Sequence, residues 1–171
     1  MPLQVLDWSP ADSLAPVGRV VVVVLGATTD DGRLAELVTA CRAKRVPVVF
    51  APRDGVELPP GLDPRPEEYV VPRPRLSAFL GTELDLVLRG FRAETVLLVG
   101  GLTDVDVHYS GVDAHQLDYH LRTDVDLLRG SSARLHDAAL RAMKYLQRDA
   151  LVSDAAVTAW LDGLDVSGEA P

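Results

Sequence analysis

The chain has 171 residues, a length typical of one compact domain. Hydrophobic residues form 47% of it and charged residues 25%, so the chain can bury a core and is not of the disordered class. The formal net charge of -8 disfavours nucleic acid and anionic membrane surfaces as partners, because both repel an acidic protein.

The first 18 residues predict a short N-terminal arm, because they have neither the basic start nor the long apolar stretch of a secretion signal. The longest apolar run, residues 20–25, is far shorter than the ~20 residues needed to span a bilayer. Cys41 is the single cysteine, which excludes an intrachain disulfide. We therefore expect a cytoplasmic protein with one domain over residues 19–171.

Strand-like and helix-like segments alternate from residue 19 onward, which is typical of a parallel sheet covered by helices on both faces. The first strand is an unbroken run of valines, as expected of a central strand that is buried on both sides. The predicted strands cover residues 19–25, 46–51, 69–71, 95–99, 119–125 and 150–152.

Helical periodicity predicts helices in the segments between these strands. In the first helix, Leu34 and Cys41 lie on one apolar stripe, so Cys41 is predicted to be an inert core residue. Three sites carry residues suited to helix capping: Thr82, Thr103 with Asp104, and Asp154. The predicted helices cover residues 31–44, 82–88, 103–117 and 131–149, with a closing helix from residue 154.

Ligands of an open parallel sheet bind beyond the carboxyl ends of its strands. The loops at those ends contain no G-x-G-x-x-G, no phosphate-binding glycine loop with a lysine and no G-x-S-x-G. These absences disfavour nucleotide binding and serine hydrolysis. The loop over residues 52–74 carries seven prolines and is long enough to predict a functional role.

Two segments resemble the isochorismatase-like cysteine hydrolases. Residues 70–85, VVPRPRLSAFLGTELD, are similar to the family's K-x-x-x-S-A-F-x-G-T segment. Residues 97–108, LLVGGLTDVDVH, are similar to its G-x-x-T-D-x-C-V segment. The resemblance extends over roughly residues 19–161 and implies an α/β fold, a Rossmann-like three-layer α/β/α arrangement with a six-stranded parallel sheet.

The resemblance also implies a catalytic triad, which this sequence alters at every position. Family members use an aspartate after the first strand, a lysine before the SAF segment and a cysteine at a helix start. This chain has Leu25 (or Gly26), Arg73 and Asp106 at those positions. The triad is therefore predicted to be absent, and with it the thiolate nucleophile.

No cofactor or metal is predicted. The family's nicotinamidase branch binds a metal through histidines near the second strand, whereas the first histidine here is His108. Asp104, His108 and His115 fall close to one helical stripe and form the alternative, a metal-ligand set. A solvated or interfacial face is the preferred interpretation of that stripe.

Arg73 and Asp106 are the central candidates, because the residues they replace meet in the family's pocket. An arginine–aspartate contact there, which can be bidentate, favours the ionised carboxylate and makes Asp106 a poor proton donor. The spacing of Tyr109 favours core packing, although it is also a pocket candidate. The predicted ligand-pocket residues are Arg73, Arg75, Ser77, Phe79, Asp104, Asp106 and Tyr109.

Three functional hypotheses follow. The preferred one is a pseudoenzyme without the triad, which binds a small molecule, such as an anion, or a partner protein. The alternative is a repurposed hydrolase or lyase in which Asp106 acts as acid, base or nucleophile and Arg73 binds substrate charge. The third is a structural oligomer partner of an active homologue, and the resemblance also implies a homo-oligomer.

Overall fold

The structure is a computed structural model that describes residues 7–28 and 31–165. Its sheet has six parallel strands in the order β3-β2-β1-β4-β5-β6, which confirms the predicted α/β class. The parts of the predicted arm and domain over residues 1–6, 29–30 and 166–171 lie outside the described residues. The strands are β1 (Arg19–Val24), β2 (Val48–Phe50), β3 (Tyr69–Val70), β4 (Ala93–Val99), β5 (His120–Asp124) and β6 (Leu151–Val152).

Five helices cover the two faces of the sheet and make three layers. The valines of β1 alternate between the faces: Val21 and Val23 pack toward α2, α3 and α4, whereas Val22 and Val24 pack toward α1 and α5. The helices are α1 (Asp31–Ala43), α2 (Leu84–Gly90), α3 (His108–Gln116), α4 (Ala133–Leu146) and α5 (Asp154–Asp162). Within α1, Cys41 is buried in the core as predicted.

The predicted caps need correction at three helix starts. Ser153, not Asp154, caps α5, because its hydroxyl accepts the Ala156 N–H at 3.1 Å. Thr82 accepts the Leu84 N–H at 3.2 Å, but it lies two residues before the start of α2, where Glu83 is the N-cap residue. The third predicted helix begins as one turn of π-helix, Thr103–Val107, before α3. Neither Thr103 nor Asp104 is its capping side chain.

Several predicted elements are longer than the observed ones. The strand predicted over 46–51 spans Val48–Phe50 in the structure, flanked by single bonds to β1 from the Val22 N–H to the Pro47 carbonyl and from the Ala51 N–H to the Val24 carbonyl. The helix predicted over 131–149 spans Ala133–Leu146, because Ser132 caps it through the Leu135 N–H. Apolar composition extends beyond both elements, and composition does not mark where backbone hydrogen bonding stops.

The described part of the N-terminal arm packs against the sheet. Ala11 extends the sheet beyond β6 through a parallel bridge to Val152 and an N–H bond to the Leu151 carbonyl at 2.8 Å. Leu14 is buried in the core on the α1 and α5 side. The buried Arg122 of β5 donates to the Leu14 carbonyl at 2.8 Å. The arm therefore contributes to the core and protects the β6 edge.

We expect Leu14→Ala to lower the free energy of unfolding by about 2–5 kcal/mol, because it removes a buried leucine side chain. Urea denaturation measures the change. Val17→Ala is the matched control in the same arm: Val17 is 42% exposed, so its truncation should cost less than about 1 kcal/mol. Equal, small losses for both variants would contradict an arm that is part of the core.

Candidate ligand-binding site

A cavity of about 140 Å³ lies beyond the carboxyl ends of β1 and β4, the neighbouring strands at which the strand order reverses. It is smaller than the ~300–1,000 Å³ usual for ligand pockets, and matches a cavity that holds one benzene-sized molecule. Its lining residues are Leu25, Gly26, Ala27, Pro52, Arg53, Val56, Glu57, Leu58, Arg73, Gly101, Leu102, Asp106 and Arg129.

A glycine pair after β4 lets the chain turn sharply into this cavity. Gly100 and Gly101 have φ angles of 75° and 76°, which side-chain-bearing residues rarely adopt. A Cβ on Gly100 would lie 2.2 Å from the Gly26 carbonyl oxygen, and one on Gly101 would lie 2.8 Å from Cβ of Asp106. The absence of both side chains brings the loops after β1 and β4 against Asp106.

The Arg73 side chain is buried and uses all five of its N–H groups within the protein. No N–H of Arg73 is left for a ligand. This corrects the hypothesis that Arg73 binds substrate charge. Nε donates to the Ala51 carbonyl at 2.8 Å, Nη1 to the carbonyls of Arg75 at 3.3 Å and Leu76 at 2.8 Å, and Nη2 to the Leu25 carbonyl at 3.0 Å and Asp106 Oδ1 at 2.7 Å.

Asp106 is also buried, and both of its oxygens accept hydrogen bonds. Oδ1 accepts from Nη2 of Arg73 at 2.7 Å and from Nε of Arg53 at 3.0 Å. Oδ2 accepts from the Leu102 N–H at 2.7 Å, at the start of the π-helical turn. The Arg73 contact is direct, as expected, but it uses one carboxylate oxygen and is not bidentate. Arg73, Arg53 and the Leu102 N–H therefore fix the position of the Asp106 side chain.

Two further arginines, which were not predicted from the sequence, line the cavity. Arg53 follows β2, and its Nη2 also lies 3.0 Å from Asp106 Oδ1. Arg129 is exposed, and its guanidinium forms no hydrogen bond or ion pair with the described residues. Arg53 could have been predicted as a site residue, because it directly follows the carboxyl end of a strand. Arg129 follows β5 by several residues, and only the fold brings it to the cavity.

Ser77 and Phe79, predicted to lie in the pocket, are part of the core instead. The Ser77 hydroxyl donates to the Asp113 carboxylate at 2.6 Å and accepts the Phe79 N–H at 3.1 Å. The Phe79 ring packs against Tyr119, with ring centroids 6.1 Å apart. The SAF segment therefore joins the loop before α2 to α3, and neither side chain lines the cavity.

Tyr109 and Asp104 also lie outside the cavity. Tyr109 is 49% exposed, so the prediction of core packing for this ring is wrong: the π-helical turn rotates α3 relative to a continuous α-helix. Asp104 accepts from the Ser131 backbone N–H at 2.7 Å and from its hydroxyl. Burial opposes ionisation of Asp104, but the bonds from Ser131 outweigh it and lower its pKa.

The alternative metal-ligand set does not assemble. Among residues 7–28 and 31–165, no three histidine, cysteine or acidic side chains are placed to hold a metal ion. Nδ1 of His115 lies 3.1 Å from the amide nitrogen of Gln147. Burial lowers the pKa of His108, with Asp104 opposing that change.

Cys41 is the single cysteine of the chain and does not line the cavity. It lies in α1 within the core cluster, and burial raises its pKa to about 12. A thiol at that pKa is protonated at neutral pH and is not a nucleophile.

None of the helices in the described part of the chain has the length and apolar character of a membrane-spanning segment.

Sequence comparisons agree with the two motif segments. The profile of the Isochorismatase domain matches residues 31–157. The chain is 33% identical over 90 residues to the uncharacterized isochorismatase family protein YwoC of Bacillus subtilis (strain 168). That match covers 53% of this chain and 48% of YwoC, so it spans about half the length of that relative.

Solved structures share the fold at low sequence identity. An isochorismatase-like hydrolase from Alkaliphilus metalliredigens has a TM-score of 0.75 and 22% identity, covering 84% of this chain and 99% of that one. N-carbamoylsarcosine amidase from Thermoplasma acidophilum has a TM-score of 0.67 and 18% identity, covering 88% and 100%. A nicotinamidase from Staphylococcus aureus has a TM-score of 0.68 and 16% identity, covering 81% and 100%. These likenesses establish the three-layer fold.

Proposed function

Because the chain belongs to the isochorismatase family, whose members are typically hydrolases, we propose that it is a divergent member that binds a small anion beside Asp106 without thiolate chemistry. One observation carries the proposal. Asp106 occupies the position where the resemblance expects the cysteine nucleophile, and it is buried and held through both oxygens by Arg73, Arg53 and the Leu102 N–H.

The charges around the cavity support an anion as the ligand. Arg73 and Asp106 form one ion pair, and the other charged residues that line the cavity are Arg53, Arg129 and Glu57. A chain with a net charge of -8 therefore has an excess of positive charge at this cavity. A carboxylate of benzene size or smaller matches both the volume and the charge.

Asp106 is a poor candidate for acid–base or nucleophilic chemistry. Both of its oxygens already accept hydrogen bonds, one from Arg73 and Arg53 and the other from the Leu102 N–H. The repurposed-hydrolase hypothesis therefore requires that a ligand first displace Arg53, the exposed one of the two partners.

We expect Arg129→Gln and Arg53→Gln each to weaken binding of propionate by about tenfold, the effect of losing one charge-assisted hydrogen bond. Chemical-shift perturbation measures this at millimolar affinity. Arg148→Gln is the matched control, because Arg148 is exposed and lies away from the cavity, before β6.

Two results would contradict the proposal. The first is that propionate, acetate and benzoate all fail to perturb resonances of the cavity residues. The second is turnover of an amide, ester or enol ether that Asp106→Asn abolishes while Arg148→Gln retains it. The second result would instead support the repurposed enzyme.

The hypothesis of an oligomer partner, the predicted homo-oligomer and the cytoplasmic location remain predictions. Light scattering on the purified chain tests assembly, and a stable monomer would count against it. Co-purification with a homologue that has the intact triad would favour the role of a structural partner.

A further inference from the structure

A second, more open cavity of about 360 Å³ shares Arg53 and Arg73 with the first. The side chain of Arg53 therefore borders both the smaller cavity beside Asp106 and the larger, more open one. The remaining residues that line the open cavity are Asp54, Pro74, Arg75 and Leu76.

Arg53 is the replaceable partner of Asp106. Its side chain is 40% exposed, whereas that of Arg73 is 1% exposed and contacts the same Oδ1 atom. If Arg53 turns away, Asp106 remains paired with Arg73 and is not left as an isolated buried charge. A half-exposed ion pair contributes little to the free energy of folding. A ligand anion can therefore compete with Asp106 for Arg53 with only a small loss of stability.

Arg75 places a second cation at the open cavity. Its backbone is held by the site, because Nη1 of Arg73 donates to the carbonyls of Arg75 and Leu76. Its side chain is exposed, and the guanidinium forms no hydrogen bond or ion pair with the part of the chain that the structure describes. The loop is therefore fixed while the charge that it carries is free to bind a ligand.

We infer that the ligand carries two anionic groups joined by a short chain that passes Arg53. This inference rests on the proposed function, because the first anionic group is the one that Arg53 and Arg129 bind in the smaller cavity. The second group, a carboxylate or a phosphate, lies in the open cavity and is bound by Arg75. Asp54 lines the same open cavity and repels that group, so it limits the affinity.

The test compares ligands that share a propionate unit and differ in the second group. Succinate adds a carboxylate, 3-phosphonopropionate adds a phosphonate, and succinamate adds a neutral amide of the same shape as the carboxylate. Glutarate and adipate extend the spacer. At least one dianion is expected to bind about tenfold more tightly than succinamate, which corresponds to ~1.4 kcal/mol.

Arg75→Gln should abolish that difference and leave the affinity for succinamate unchanged. Asp54→Asn should strengthen binding of the dianion and not of succinamate. Arg148→Gln, with the same loss of charge far from both cavities, should change neither. The relative affinities of the carboxylate and phosphonate ligands identify which second group the open cavity prefers.

Failure of this inference is distinguishable from failure of the proposed function. If succinamate and propionate bind but no dianion binds more tightly, the proposed anion site stands and the second subsite is overturned. An Arg75→Gln effect of equal size on succinamate and succinate also overturns it, because Arg75 would then act through the structure of the loop. If none of the ligands binds, both proposals fail.

Discussion

Replacing Arg73 with methionine is expected to lower the free energy of unfolding by about 3–5 kcal/mol, the usual cost of breaking a buried ion pair from one side. The variant leaves Asp106 buried and removes the donor for four backbone carbonyls, including those of Ala51 and Leu25. Methionine fills much of the same volume, so the loss reflects the missing charge and hydrogen bonds more than a void. Urea denaturation measures it.

Two further variants isolate the cause of this loss. Arg53→Gln removes the other cation at Asp106 from an exposed position, and should cost less than about 1 kcal/mol. The double variant Arg73→Met/Asp106→Leu removes both buried charges and should recover at least half of the loss. A loss below about 1 kcal/mol for Arg73→Met would contradict the structural role assigned to this arginine.

Asp124→Asn is expected to stabilise the protein increasingly as the pH rises from about 4 to 7. Asp124 is fully buried at the end of β5, and burial raises its pKa to about 7, with Asp154 and Asp126 adding to the increase and Arg33 opposing it. Its Oδ1 accepts the Asp126 N–H at 3.0 Å, whereas Oδ2 has no hydrogen-bond partner among the described residues. Asparagine keeps the first bond and removes the ionisable group.

The stability of the parent protein falls with rising pH because the folded chain binds the Asp124 proton more tightly than the unfolded chain does. Below about pH 4 the carboxyl is protonated in both the folded and the unfolded chain. Between about pH 4 and 7 the unfolded chain loses this proton while the folded chain keeps it, so the parent loses about 1 kcal/mol of stability per pH unit. Above about pH 7 the difference between parent and variant becomes constant.

Unfolding free energies of the parent and Asp124→Asn, measured by urea denaturation across this pH range, test the prediction. Asp12→Asn is the control, because it removes the same charge from an exposed position in the arm. Its profile should run parallel to that of the parent. A parallel profile for Asp124→Asn would mean that the Asp124 carboxyl ionises in the folded chain as it does in the unfolded one.

Much of the site is formed by residues that are distant in the sequence, and sequence patterns do not show that such residues meet. Arg53 and Asp106 are 53 positions apart, and Arg73 and Asp106 are 33 apart. The motif positions identified Arg73 and Asp106, but they carried no information on which N–H groups of Arg73 the backbone already occupies. Ser77 and Phe79 belong to a recognisable motif, yet their contacts with Asp113 and Tyr119 make them core residues.

The sequence by itself determined the α/β class, the parallel sheet, the buried Cys41 and the likeness to the isochorismatase family. These features depend on local periodicity, β-branched runs and short motifs, which are contained in neighbouring residues. Only the tertiary structure decided that all five N–H groups of Arg73 are used within the protein, that Arg53 and Arg129 line the cavity, and that Tyr109 is exposed. Such properties depend on side-chain directions and on loops from different strands meeting at one edge of the sheet, which no local pattern encodes.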